Sequence, residues 1–350
     1  MGPSSESITQ LRKHTMRGYE KMARLNAAYN VIFIFFSVLL LLILGCQPAS
    51  PQIKTDSSKT TVKETTEKPI FTWSTWKSDG EFKAPWGIAI DNSGNIYVAD
   101  IKDRVQKFDE KGQFLTKWGS SGWGDGQFKE PAGITIDKLD NVYVTDCQNN
   151  RVQVFTDNGH FVTKWGALGT SDGQFNMPDG IEIDNKGNVY VADWINNRIQ
   201  IFDKDGHFIT KWGTRGIGDG QLYAPGDIAI DIEGNIYVTD TANHRIQKFD
   251  TTGNFLTKWG SQGTGEGQFK YPIGIAVDSA GNVYVTDGND SVQKFSGNGR
   301  FLNKWGSTGS GAEQFQGPLG IAIDNADTIY VTDAGNNRIQ IFSNISANTK

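Results

Sequence analysis

The sequence predicts an all-β fold, a ring of six four-stranded sheets of the β-propeller type. The first observation is a phrase of the form FKAPWGIAID that recurs six times, with its prolines 46, 47, 47, 47 and 46 residues apart. A fixed period of this size indicates a repeat architecture. The second is that each copy contains four short β-branched or aromatic segments. The third is that the last copy lacks one segment, while an extra one precedes the first copy. The recurring prolines are Pro85, Pro131, Pro178, Pro225, Pro272 and Pro318.

One copy shows what each repeat builds. Residues 178–212 contain the apolar runs GIEID, VYVAD, RIQIF and FITKW, separated by NKGN, WINN and DKDGH. Short alternating runs between Gly, Asn and Asp clusters are typical of an antiparallel four-stranded meander. Alternation places side chains on both faces of such a sheet, and both faces are apolar here. One sheet cannot cover itself, so we expect the copies to pack against each other.

The two ends of the array predict how the ring closes. The sixth copy stops at Phe342 and lacks the fourth strand that FLTKW supplies elsewhere. The segment IFTWSTW, residues 70–76, stands before the first copy and has no partner of its own. Joining the two in one sheet gives six complete blades, and closing the ring leaves only short, protected edges.

The repeat unit resembles a known family. Residues 225–249 contain P-G-D-I-A-I-D, N-I-Y-V-T-D and N-H-R-I-Q-K-F, which resemble the NHL repeat, with Asn243-His244-Arg245 at the place that gives the family its name. The resemblance covers residues 70–342 in six copies. It implies a six-bladed NHL-type propeller and, by analogy with related domains, an extracytoplasmic sensor or interaction platform. Fold alone does not specify activity.

The first 45 residues predict an export signal. VIFIFFSVLLLLILG, residues 31–45, has no charge, but it is short for a membrane span, which needs about 20 residues. Such a run after a basic flank is typical of a secretory signal. ILGC, residues 43–46, resembles a bacterial lipobox, which implies lipidation of Cys46. Met16 and Met22 are alternative starts, and an uncleaved membrane anchor is the alternative to lipidation. Either way the protein is expected to be membrane-anchored and extracytoplasmic.

Amino-acid composition distinguishes the segment before the repeats from the repeat region. Residues 46–69 have no aromatic residue, which predicts a disordered tether between the leader, residues 1–45, and the propeller, residues 70–350.

The net charge is −5 overall, +3 in residues 1–30 and +1 in residues 46–69, so the repeat region carries −9. An acidic domain is unsuited to phosphate-backbone binding, and we expect no nucleic-acid partner. Only Cys46 and Cys147 are present, which excludes a disulfide framework. We expect a monomer.

Residues present in every copy predict scaffold roles. An aspartate ends each second strand and an arginine begins the third, except where Ser291 replaces the arginine, so we expect one Asp–Arg brace per blade. We expect the tryptophan of each outer strand to pack in the core. The aspartates are Asp100, Asp146, Asp193, Asp240, Asp287 and Asp333, the arginines Arg104, Arg151, Arg198, Arg245 and Arg338, and the tryptophans Trp118, Trp165, Trp212, Trp259 and Trp305.

Several chemistries have no support in the sequence. His14 precedes the export signal, and His160 and His207 occupy equivalent outer turns. This leaves His244 as a single family-typical histidine, so a histidine zinc site is not expected. The glycine-rich loops lack the Lys and Ser/Thr of a phosphate loop. No G-x-S-x-G occurs, and no catalytic residues are assigned.

Differences between the copies predict a binding site. Loops entering the first strand and following the second strand share one face, which we call the top, and binding residues concentrate on such variable loops. The residues after the prolines and after the blade aspartates are expected to form the rim of the channel mouth. Trp86, Ile101, Ile273 and Leu319 form an apolar arc, and Trp194 adds an aromatic group on blade three. Opposite lie Asp179, Glu182 and Asp227.

The residues predicted at the channel mouth are compatible with several ligands and several functions. Stacking and hydrogen bonds suit a peptide or a sugar, and the carboxylates suit a cationic group or a calcium ion. The first function is a non-catalytic binding or scaffold module for a protein, peptide or glycan, without a cofactor. The second is a metal-dependent lyase or lactonase of propeller type, for which the chain offers the carboxylates. RNA binding or a ubiquitin-ligase role, as in tripartite-motif NHL proteins, lacks a basic face and a RING.

Overall fold

The computed structural model describes the backbone of residues 69–74 and all atoms of residues 80–342. The export signal, Cys46 and the tether lie outside the described residues. Within them, no helix is long and apolar enough to cross a membrane.

The described chain forms six antiparallel four-stranded sheets, as the sequence predicts. The strand β1 (Pro69–Ser74) precedes blade one, which comprises β2 (Pro85–Ile90), β3 (Ile96–Asp100), β4 (Arg104–Phe108) and β5 (Phe114–Trp118). Blade two comprises β6 (Pro131–Ile136), β7 (Val142–Asp146), β8 (Arg151–Phe155) and β9 (Phe161–Trp165). Blade three comprises β10 (Pro178–Ile183), β11 (Val189–Asp193), β12 (Arg198–Phe202) and β13 (Phe208–Trp212).

The second half continues the pattern. Blade four comprises β14 (Pro225–Ile230), β15 (Ile236–Asp240), β16 (Arg245–Phe249) and β17 (Phe255–Trp259). Two-residue strands β18 (Ser261–Gln262) and β19 (Gln268–Phe269) lead into blade five, which comprises β20 (Pro272–Val277), β21 (Val283–Asp287), β22 (Ser291–Phe295) and β23 (Phe301–Trp305). After β24 (Ser307–Thr308) and β25 (Gln314–Phe315), blade six comprises β26 (Pro318–Ile323), β27 (Ile329–Asp333) and β28 (Arg338–Phe342). Single 3-10 turns occur at Cys147–Asn149, Thr241–Asn243 and Ala334–Asn336.

The N-terminal strand completes blade six. β1 pairs antiparallel with β28, and the sheet order is β1-β28-β27-β26, so the ring closes as predicted. The described strand comprises Pro69–Ser74, and residues 75 and 76 of the predicted segment lie outside the described residues.

The apolar core lies between neighbouring blades. Tyr190 and Ile199 of blade three, for example, cluster with Ile228, Ile236 and Phe249 of blade four. Six such clusters follow one another around the ring. This confirms that each sheet buries both faces against its neighbours.

The first strand of every blade lies innermost, next to the first strands of both neighbours. The backbones approach closely here. A Cβ on Gly320 would lie 2.4 Å from the Trp86 carbonyl oxygen of the next blade, and one on Gly133 would lie 2.5 Å from that of Asp179. In five of the six blades the glycine of the P-x-G phrase therefore lies at a close contact with the next blade that leaves no room for a side chain.

The Asp–Arg pairs are braces within blades, as predicted. In blade four, Arg245 Nε donates to Asp240 Oδ2 at 2.6 Å, and its other nitrogens donate to three loop carbonyls. Arg104, Arg151, Arg198 and Arg338 make the same pair with their own aspartates. The outer-strand tryptophans pack as predicted, Trp305 buried and the other four partly buried.

Candidate functional site

The residues that follow the prolines converge on the channel mouth. Trp86, Ile273 and Leu319 line one cavity together with Asp179 and Asp227. The cavity has a volume of about 40 Å³, and glycines of the innermost strands complete its wall. About 10–15 Å³ of such volume holds one water molecule, so this space admits one small chemical group.

Asp227 stands where the other blades have the glycine of the P-x-G phrase. Its Oδ1 accepts a hydrogen bond from the Ile228 amide at 2.9 Å, and its Oδ2 accepts one from the Ile275 amide of blade five at 3.1 Å. Blade three makes room for this side chain, because a Cβ on Gly180 would lie 2.4 Å from Asp227 Oδ1. Burial raises the pKa of Asp227 to about 7, even though the two amides favour the charged form.

Asp179 lies on the neighbouring blade and shares the cavity. Burial and the nearby Asp227 raise its pKa to about 7, and a hydrogen bond from the Trp86 side chain opposes that rise. Trp86 is therefore hydrogen-bonded to the acidic side of the mouth, and it is not a separate, exposed contact residue. Its side chain is partly buried.

Glu182 belongs to a deeper level of β10. Its Oε1 accepts hydrogen bonds from the Ile183 amide at 2.9 Å and from the Thr135 hydroxyl of blade two at 3.2 Å. Burial, together with Asp227, raises its pKa to about 7. Glu182 does not line the cavity, but the charge of Asp227, which does line it, contributes to the raised pKa of Glu182. Thr135 was not singled out from the sequence, although it too replaces the alanine found at this position in four blades.

The loops after the second strands do not reach the cavity. Ile101 is exposed and its amide donates to the Lys83 carbonyl, while Trp194 lies in the corresponding turn of blade three. Neither residue lines this cavity. The structure thus brings together five of the eight predicted residues and leaves Ile101, Trp194 and Glu182 outside the lining.

The carboxylates do not form a ready-made metal site. Among the described residues, one group of three side chains has ligand atoms within 4.8 Å of one another, and it consists of Asp203, Asp205 and His207 on an outer turn. Asp179, Glu182 and Asp227 do not form such a group. Calcium usually takes six to eight oxygen ligands, which would require rearrangement or several waters at the mouth.

Comparison with known proteins agrees with this architecture. The family model described as NHL repeat matches residues 82–108, 128–155 and 315–342, and one described as 6-bladed beta-propeller matches residues 185–246 and 232–294. The chain is an NHL-repeat β-propeller. Protein lin-41 of Caenorhabditis elegans is 47% identical over 51 residues, which are 14% of this chain and 4% of lin-41. The match thus spans a small part of that relative.

Solved structures share the fold of this NHL propeller. Virginiamycin B lyase from Staphylococcus aureus superposes with a TM-score of 0.54 at 17% identity, covering 77% of this chain and 97% of the lyase. A gluconolactonase from Xanthomonas campestris gives 0.58 at 15% identity, covering 85% and 98%. A Bacteroides thetaiotaomicron protein of unknown function gives 0.59 at 19% identity, covering 79% and 73%. Identities this low establish the fold alone.

Proposed function

We propose that this NHL propeller is a non-catalytic binding module, held at a membrane outside the cytoplasm, that recognises a protein or peptide through one cationic group. The observation that carries the proposal is the shared cavity of Trp86, Asp179 and Asp227. The membrane address rests on the apolar segment 31–45 and on Cys46.

The lining of the cavity favours an ammonium group on an aliphatic stem. Asp179 and Asp227 supply carboxylates on neighbouring blades, while Trp86, Ile273 and Leu319 supply apolar surface. A cation between carboxylates forms charge-assisted hydrogen bonds, and a tryptophan face adds cation–π attraction. A lysine side chain or a chain N-terminus has this chemistry. A volume of about 40 Å³ suits such a group better than a sugar ring.

Cation binding must be coupled to proton release. Because burial raises the pKa of Asp179 and of Asp227 to about 7, both carboxyls are partly protonated at neutral pH in the free protein. A bound cation favours the ionised form, so its affinity should increase as the pH rises through 7. The linkage is up to about tenfold per pH unit for each proton released.

Calorimetry with n-butylammonium, a surrogate for the lysine side chain, tests this function on the full-length protein in detergent. We expect tighter binding at pH 8 than at pH 6, and no binding of 1-butanol, which has the same stem without the charge. Equal affinity for the two compounds, or affinity that does not depend on pH, would refute a cationic ligand.

An enzymatic function is the second candidate, and the same carboxyls favour it. Acid–base catalysis works best with groups whose pKa lies near the working pH, and three such groups meet in this channel. The fold is shared with a lyase and a gluconolactonase. Metal analysis of the purified protein separates the candidates, because stoichiometric calcium or zinc would favour the enzyme.

A further inference from the structure

Blade five lacks a buried arginine that four other blades use in the same way. In blade four, the Arg245 guanidinium donates to Asp240 and to the carbonyls of Ile217, Gly218 and Gln221, at 2.6–2.9 Å. Arg151, Arg198 and Arg338 repeat this pattern in blades two, three and six. In blade five, Ser291 takes the position, directly opposite Asp287 in the strand register.

The loop that surrounds the guanidinium elsewhere keeps its shape in blade five. The Gly263 amide donates to Phe269 O at 3.1 Å, and the Gln268 amide donates to Gly265 O at 3.1 Å. The matching bonds in blade four measure 3.1 and 3.3 Å. Asn289 also holds the Gly263 carbonyl at 2.9 Å, as Asn243 holds that of Gly216 at 2.8 Å. The loop carbonyl oxygens have therefore not moved into the space that the arginine side chain fills in the other blades.

The acceptors in blade five are only partly used. Lys304 Nζ donates to Thr264 O at 2.9 Å, and so replaces one bond of the arginine. Gln293 donates to Gln268 O and to Asp287 Oδ2. Asp287 is fully buried without an arginine beside it. Ser291 is also fully buried, and its Oγ makes no hydrogen bond within the protein. Buried hydroxyl groups almost always have a partner in the protein, in a water molecule or in a ligand, so the space beside Ser291 is expected to be occupied.

We propose that blade five contains a cation site formed by Asp287, the Ser291 hydroxyl, and the carbonyl oxygens of Gly265 and Gln268. The ligand is a small monovalent cation no larger than guanidinium. Every ligand atom is a hard oxygen, and the site has one carboxylate with the Lys304 ammonium close by, which disfavours a divalent ion. The same arrangement of acceptors holds a guanidinium group in four other blades. This site is separate from the cavity at the channel mouth.

Thermal unfolding of the full-length protein, with added guanidinium or potassium at constant ionic strength, tests the site. Tetramethylammonium, which is too large and has no donor, is the control cation. We expect at least one of the two small cations to raise the Tm of the wild type by about 2–4 °C over the control. Ser291→Arg, which supplies the guanidinium covalently, should lose this response. Arg245→Ser, which creates the same recess in blade four, should show a larger response than the wild type.

Two results would overturn the proposal. One is a wild-type Tm that neither cation raises above the tetramethylammonium control, as expected if water alone fills the recess. The other is a response of Ser291→Arg equal to that of the wild type. Should Ser291→Arg fail to fold, Asp287→Asn takes its place, because removing the carboxylate must also abolish the response.

Discussion

The Thr332 hydroxyl of blade six donates a hydrogen bond to the Trp86 carbonyl of blade one, at 2.9 Å. Thr145, Thr239 and Thr286 make the same bond to the next blade at other junctions. Here the bond joins residues 246 positions apart, at the junction that closes the ring. It also fixes the backbone of a residue at the channel mouth, so closure of the ring and geometry of the site depend on each other.

Deleting residues 69–74 should therefore destabilise the whole propeller. The deletion removes β1 from the closing sheet, exposes the edge of β28 and leaves blade six with three strands. Differential scanning calorimetry should show a lower Tm and broader unfolding. Deleting residues 48–53 in the tether is the matched control and should leave the Tm unchanged. If both deletions melted like the parent, β1 would not be what holds the ring closed.

Trp212→Ala and Trp86→Ala should differ in stability. Trp212 packs against Tyr190 at 6.1 Å and Phe249 at 5.8 Å between centroids, and its ring covers Gly253 of the next blade. Removing this side chain should cost about 3–5 kcal/mol, the usual range for a core tryptophan. Trp86 faces the cavity, so its removal should cost much less. Denaturant titration of both variants checks this, and global unfolding of Trp86→Ala would show that Trp86 is a packing residue.

His244 should make stability depend on pH below 6.5. Its Nδ1 accepts a hydrogen bond from the Tyr271 amide at 3.0 Å, so the ring must be neutral, and burial lowers its pKa below the ordinary value. As the pH falls, the His244 ring is therefore protonated in the unfolded chain before it is protonated in the folded protein. Stability is lost as the pH falls from about 6.5 through the lower pKa of the folded state. His244→Asn should remove this pH dependence, since Asn197 accepts the same bond in blade three. Parallel Tm curves for both proteins from pH 7 to 5 would contradict this role.

The channel carboxyls should have the opposite effect. Burial raises the folded pKa of Asp227 to about 7, so the folded state holds a proton that the unfolded chain releases near pH 4. This contribution is present at low pH and is lost as the pH rises from about 4 to 7. Asp227→Asn should therefore remove this pH dependence, so that the Tm of the variant relative to that of the wild type should increase between pH 5 and pH 8. Asp205→Asn, on an exposed turn, is the control. If the dependence of Tm on pH were the same in Asp227→Asn as in the wild type, the Asp227 carboxylate would have to be solvated in the folded protein.

The fold could be predicted because at least five of the six blades use the same residue types for the same contacts. The glycines of the P-x-G phrase and the Asp–Arg pairs recur since each junction repeats one geometry. The residues that follow the prolines could be placed at the channel mouth because they differ from one copy of the repeat to the next. Ile101 and Trp194 do not line the cavity, and their loops hydrogen-bond back toward the entry to the first strand: the Ile101 amide donates to Lys83 O and the Ile195 amide to Asn176 O. Sequence alone also does not show that Trp86 reaches Asp179.

The affinity of n-butylammonium at pH 8, measured by calorimetry in the wild type, Asp227→Asn and Asp205→Asn, tests the central claim most directly. Asp227→Asn removes one carboxylate from the cavity, and with it one charge-assisted hydrogen bond to the ammonium group, so binding should weaken by about tenfold or more. Asp205→Asn should bind like the wild type, because Asp205 lies exposed on an outer turn. Equal affinity in all three proteins would contradict the claim that the channel mouth is the binding site.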